Sequence, residues 1–173
     1  MSLITNSAVT RAFDSFDVRL TRWLAHHGIS LLRVSVAVIY LWFGFLKFFP
    51  GMSPAQDLAA RTIGALSLGM VTPTVAVFLL ALLETAIGLG LLFGRRLRIV
   101  LLLMLLQMAG TITPMLLFPG ETFTWAPFAP TLEGQYIIKN LVLVCAALVI
   151  GATVRGGHLV ADPEDGVRSP RQT

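Results

Sequence analysis

Charge is scarce in this sequence: 13% of its 173 residues are Asp, Glu, Lys or Arg, about half the share of a soluble domain. With 55% hydrophobic residues and a mean hydropathy of +0.80, that scarcity excludes an ordinary soluble domain and predicts an integral membrane protein of one domain. Cysteine is nearly absent. Cys145 alone excludes an intramolecular disulfide, a Cys-x-x-Cys relay and a structural zinc site, and no metal is predicted. None of the three histidines, His26, His27 and His158, falls in an apolar run, which excludes a membrane-ligated b-type haem. Redox chemistry here therefore needs a bound molecule or a partner. The net charge of +4 does not indicate nucleic acid, because membrane topology accounts for where the basic residues sit.

Four segments reach the roughly 20 apolar residues that a bilayer-spanning helix needs: residues 31–49, 74–93, 97–118 and 136–154. About thirty residues precede the first and no small-residue cleavage motif follows it, so it is read as a span and not as a cleaved signal. Thr72-Pro73 predicts an N-cap with proline at the first helical position. Gly94-Arg95-Arg96 predicts a tight turn between antiparallel neighbours, and Pro114 predicts a kink in the third span. The fold predicted is an all-α integral membrane protein, a bundle of four transmembrane helices.

Arginine placement sets the expected orientation. With Arg95, Arg96 and Arg98 in the cytoplasm, both termini are cytoplasmic, and that side also collects Arg11, Arg19, Arg22, Arg33, Arg155, Arg168 and Arg171, ten of the thirteen basic residues. The expected location is the inner membrane of a bacterial cell. Residues 1–30 are read as a cytoplasmic interfacial segment, because Phe13, Phe16, Leu20, Trp23 and Leu24 recur at helical spacing between arginines. A short extracytoplasmic helix is expected over Ala55 to Leu68, with Leu58, Ile63 and Leu66 on one side. Residues 119–134, with Phe123, Trp125 and Phe128 among three prolines, read as an ordered interfacial loop, and residues 155–173 as a polar cytoplasmic tail, disordered from Asp162.

Three basic residues, Lys47, Arg61 and Lys139, are left on the opposite side, and both lysines fall at the ends of spans. A lysine at membrane depth costs roughly 2.5–3.5 kcal/mol on insertion scales, so it should have a partner. At 1.5 Å per residue, Glu84 and Gln107 each lie about 15 Å from the turn that joins their helices, with Tyr40 at comparable depth. The predicted result is a polar column: Glu84, Gln107 and Tyr40 in the middle, Lys47 and Lys139 above, and Thr111, Thr113 and Asn140 between. Such a column has two readings, an interhelical network that fixes the bundle or a site in which two cations and one carboxylate hold a ligand. Trp42 and its phenylalanine neighbours have two as well, an interfacial aromatic belt or a flat pocket for a quinone-like ring. Gly88-Leu89-Gly90 with Gly94 is assigned to close helix packing, since no strand precedes it.

Four features together resemble the DoxX family of small bacterial membrane proteins: Trp42-Phe43-Gly44-x-x-Lys47-Phe48, Glu84-x-x-x-Gly88, the connection Gly94-Arg95-Arg96-Leu97, and Gly134-Gln135-Tyr136-x-x-Lys139-Asn140-Leu141. The resemblance spans about residues 30 to 157. It implies a four-helix membrane protein linked to redox metabolism; relatives include the DoxD subunit of thiosulfate:quinone oxidoreductase. This sequence departs from independent sulfur chemistry in having no second cysteine, so what the resemblance implies is a quinone-binding or membrane-anchoring subunit beside a partner oxidoreductase.

The leading expectation places Lys47, Glu84 and Lys139 in the catalytic roles, the lysines stabilising charge on reduced quinone oxygen and Glu84 exchanging protons. Tyr40, Trp42, Gln107, Thr111 and Asn140 are the expected ligand-binding residues. The competing expectations are a non-catalytic scaffold that docks a protein partner, with its lysines on lipid phosphate or on Glu84, and a small-solute transporter, for which only one interrupted helix is present where two are usual.

Overall fold

The computed structural model describes residues 3–54 and 56–157, with side chains from residue 13 onward. The Arg11 side chain, Ala55, His158 and the tail Asp162 to Thr173 lie outside the described residues. Four helical stretches are long and apolar enough to cross a membrane, Phe13–Leu46, Pro73–Phe93, Leu97–Leu117 and Leu132–Thr153. No more than 39% of the most apolar window of any of them is buried within the chain, so most of their apolar surface faces outward, as lipid allows and water does not.

Helix α1 runs Leu3–Leu46 without interruption. At 44 residues it is about twice the length a bilayer core needs. The segment from residue 11 to His27 is helical as expected, but continuous with the first span, and its Phe13, Phe16, Trp23 and Leu24 are exposed. The helix stops at Leu46, three residues before the expected boundary. Lys47, Phe48 and Phe49 close tighter turns onto Gly44, Phe45 and Leu46 before Pro50 and Gly51 turn the chain.

Helix α2, Gln56–Leu66, packs on α3 and α5 at this Lys47 end of the bundle. Its buried residues are Leu58, Ala60 and Thr62; of Leu58, Ile63 and Leu66, expected on one side, Leu58 is buried, Ile63 half-buried and Leu66 exposed. Thr62 is tolerated inside because its hydroxyl donates to Leu58 O at 2.7 Å. Beyond α2 the chain reverses through Leu68 and Gly69, with φ of 53° and 80°. The left-handed conformation costs a leucine about 1–2 kcal/mol.

Helix α3, Pro73–Phe93, starts with proline at its first turn after an extended Thr72, as expected, although the Thr72 side chain makes no capping bond. It ends at Gly94, whose φ of 68° suits glycine and whose N–H donates to Gly90 O. Three residues later α4, Leu97–Ile112, begins antiparallel to it. Pro114 interrupts the third span as expected, dividing α4 from the short α5, Pro114–Leu117.

The expected interfacial loop is a turn of helix, α6 (Pro119–Thr122), and a small antiparallel hairpin, β1 (Phe123–Trp125) with β2 (Ala129–Pro130). The fourth span then starts earlier than expected, as α7, Leu132–Lys139, and continues as α8, Leu141–Thr153, after an irregular turn at Asn140. The core lies between α1, α3, α4 and α8, built on Ala37, Ile87, Leu91, Met104, Ala147 and Ile150.

Helices α1 and α3 approach most closely where glycine removes a side chain. A β-carbon on Gly88 would stand 2.7 Å from Leu41 Cγ, and one on Gly44 would stand 3.0 Å from both Glu84 Cβ and Thr85 N. This seam holds Lys47 and Glu84 across from each other.

Candidate functional site

Tyr40 on α1 and Lys47 in the tighter turn that follows it are seven residues apart, about two helical turns along one face. Glu84 and Gln107 stand ten residues to either side of the Gly94–Leu97 turn, so they meet at one level. These placements give a continuous chain across three helices. The Lys47 ammonium donates to Glu84 Oε2 at 2.6 Å and to Phe43 O at 3.3 Å. Glu84 Oε1 accepts from Gln107 Nε2 at 3.1 Å, and Gln107 Oε1 accepts from the Tyr40 hydroxyl at 2.8 Å.

The direction of the chain is fixed by its ends. A carboxylate paired with an ammonium only accepts, so Gln107 must turn its NH₂ to Glu84 and its carbonyl to Tyr40. The Lys47 and Glu84 side chains are 12% and 10% exposed, which places an ion pair of matched charge nearly out of water. Two of the three Lys47 N–H groups are engaged; the third has no acceptor among the described residues.

Two further features adjoin the pair. Thr85 Oγ1 is buried with no hydrogen-bond partner and lies beside Gly44. The rings of Phe48 and Phe78 meet edge to face at 5.9 Å, tying the residue after Lys47 to α3. Sequence reasoning missed Gly44 and Thr85. Glycine inside a helix, three residues before an intramembrane lysine, was the available signal for a close approach.

Other expected site residues lie elsewhere. Lys139 does not converge on Glu84: it is exposed, with its ammonium 5.7 Å from the centre of the Tyr136 ring. The irregular turn at Asn140 follows it, and Asn140 itself is half-buried, its backbone bonded to Ile137 and Val144 and its side chain without a hydrogen bond among the described residues. Trp42 is 67% exposed and borders an apolar groove of about 480 Å³ with Val38, Leu41, Phe45 and Leu46. Thr111 contributes only a brace, donating to the backbone carbonyl of Gln107 at 3.0 Å, and Thr113 does the same to Ala109.

At the Lys47 end, Arg61 of α2 reaches Glu121 of α6 through two hydrogen bonds of 2.6 and 2.5 Å, and its guanidinium lies 5.4 Å from the centre of the Phe118 ring. The pair clasps α2 to the segment beyond the Pro114 break. It borders a cavity of about 570 Å³ whose lining includes Ser53, Gln56, Asp57 and Glu133. Hydrogen bonding to Arg61 holds the Glu121 carboxyl below the usual carboxylate range, and Glu121 in turn raises Arg61.

A carboxyl lowered on folding stabilises the protein above its unfolded pKa, and that contribution is lost as pH falls through the folded value. The stability gap between wild type and Glu121→Gln is therefore expected to be present at neutral pH. It should shrink toward zero as pH falls below about 4. Thermal unfolding in detergent across that range checks this, and a gap independent of pH would show that Glu121 acts without its charge.

The chain matches the DoxX family over residues 28–119, more than half of its length. It belongs to the DoxX family. No curated protein and no solved structure matches it. Every member of the polar chain, from Tyr40 and Lys47 through Glu84 to Gln107, lies within the DoxX match, whereas Lys139 and Asn140 lie beyond it. As a DoxX protein with four membrane-length apolar helices, it is a multi-pass membrane protein of a family often linked to redox systems.

Proposed function

We propose that this DoxX protein is the membrane subunit of a redox system, and that its polar chain receives the headgroup of a quinone or similar small molecule and exchanges protons with it. The observation that carries the proposal is the Lys47–Glu84–Gln107–Tyr40 chain itself. It places a fixed cation, a proton acceptor and a phenolic donor in one connected line within the membrane-spanning bundle. The free third N–H of Lys47 fits a carbonyl oxygen of the ligand, and the positive charge beside that oxygen favours the negative charge that reduction places there. Glu84 accepts or returns a proton at Lys47, and Gln107 couples that exchange to the Tyr40 hydroxyl. A bound quinone would supply the two-electron, two-proton chemistry that these side chains lack.

Electrons come from a partner oxidoreductase in this reading. The protein sits in a bacterial inner membrane with the Gly94 turn and both termini in the cytoplasm, because the arginines collect on that side. The test is quinone content and quinol-linked electron transfer in purified protein carrying Lys47→Met. Bound quinone and transfer should fall at least tenfold, while Lys139→Met, outside the chain, should leave both unchanged. Purified wild type without quinone, together with unaltered transfer in Lys47→Met, would sink the proposal.

One observation favours a scaffold role instead: the hairpin carries Trp125 and Phe128 at 70% and 76% exposure. That reading requires a stoichiometric partner lost in Trp125→Ala/Phe128→Ala but retained in Lys47→Met.

A further inference from the structure

The turn after α2 holds an unusual combination. Leu68 adopts a left-handed conformation that glycine or asparagine takes with little strain, yet 88% of its surface is exposed, so little packing among the described residues offsets the strain. The turn is well bonded: Gly69 N–H donates to Gly64 O at 2.8 Å, Ser67 N–H to Ile63 O at 2.9 Å, and Val71 N–H to Ser67 Oγ at 3.2 Å. Leu68 is therefore held out in a defined direction. Leu66 and Met70 beside it are 59% and 82% exposed.

The surroundings indicate what covers these three side chains. No charged residue occurs between Arg61 and Glu84, so the turn runs into α3 without a polar boundary. The lipid-facing surface of α3 begins at once, with Val75, Phe78 and Leu79 exposed. An apolar turn at the end of a membrane-spanning helix is continuous with the surface that the bilayer already covers.

We propose that Leu66, Leu68 and Met70 insert into the lipid interface at the Lys47 end and anchor α2 to the bilayer. The strained leucine is retained because immersion in lipid returns more than the backbone strain costs. Helix α2 is then held at two points, at its middle by Arg61 on Glu121 and at its C-terminal end by this apolar turn in lipid. The inference does not depend on what the polar chain binds.

The test uses the full chain in phosphatidylcholine liposomes, with Cys145 replaced by alanine and Leu68→Cys carrying an environment-sensitive fluorophore. Asp57→Cys, on the polar side of α2, is the reference. Emission from position 68 is expected to be blue-shifted relative to position 57 and quenched several-fold more by lipids spin-labelled near the headgroup. Water-like emission would overturn the proposal, and so would a blue shift without lipid quenching, because a second copy or another protein would then cover the turn. A second variant separates anchoring from folding. Leu68→Asn suits the left-handed backbone, so if the turn faces water, amide exchange over Gln56–Leu66 should stay the same or slow. If lipid holds the turn, exchange should rise several-fold despite the relieved strain.

Discussion

Lys47→Met is expected to destabilise the protein by about 3 kcal/mol, the low end of what removing one partner of a buried ion pair costs. The reason is what remains. Glu84 keeps its bond from Gln107 but loses its cation, and only 10% of its side chain reaches solvent. Glu84→Gln should cost less, about 1 kcal/mol, because an amide leaves no buried anion and the freed lysine can extend its ammonium toward the headgroups. Combining Lys47→Met with Glu84→Gln should therefore recover stability relative to Lys47→Met alone, a coupling of the sign and size expected for side chains in contact. Denaturant titration in detergent at neutral pH measures all four corners of this cycle. If the double variant is as unstable as the sum of the single ones, the 2.6 Å contact carries no energy and Lys47 is held by something else. Lys139→Met, on an exposed residue, is expected to stay within about 0.5 kcal/mol of wild type.

That contrast between two lysines marks the reach of the sequence. Depth along a helix follows from counting residues, so the meeting of Glu84 and Gln107 was legible from their equal distance to one tight turn, and Tyr40 from its place on the first span. Rotation about a helix axis is not fixed in the same way when a span is apolar all round. Lys139 is exposed beside Tyr136 and does not reach Glu84, and Trp42 projects outward from α1 while Tyr40 and Lys47 project inward. The turn at Asn140, which separates α7 from α8, has no proline to announce it, unlike the break at Pro114. In α2, periodicity favoured Leu66, but packing against α3 and α5 selected Thr62, whose hydroxyl is satisfied within its own turn. The Arg61–Glu121 clasp joins residues 60 apart and left no local pattern at all.

Gly44 tests whether the seam, and not only the charges, makes the site. Alanine favours a helix interior over glycine by roughly 0.5–1 kcal/mol, so on propensity alone Gly44→Ala should stabilise α1. Against that, the added methyl would stand 3.0 Å from Glu84 Cβ and Thr85 N and 3.1 Å from Thr85 Oγ1. A backbone nitrogen and a β-carbon cannot swing aside as the end of a long side chain does. Helices α1 and α3 must separate, and overpacking of this kind costs about 1–3 kcal/mol. The expected net effect is a loss of about 1 kcal/mol, with a further consequence that propensity cannot imitate. Lys47 sits less than one turn beyond Gly44, so the same separation lengthens its contact with Glu84. The Lys47–Glu84 coupling, remeasured in the Gly44→Ala background, should fall to less than half its original value. Gly88→Ala, one turn beyond Glu84 toward the Gly94 end, presses on Leu41 instead; it should lower stability while leaving most of the coupling in place. If Gly44→Ala raises stability and keeps the coupling intact, the close approach of α1 to α3 does not position the ion pair.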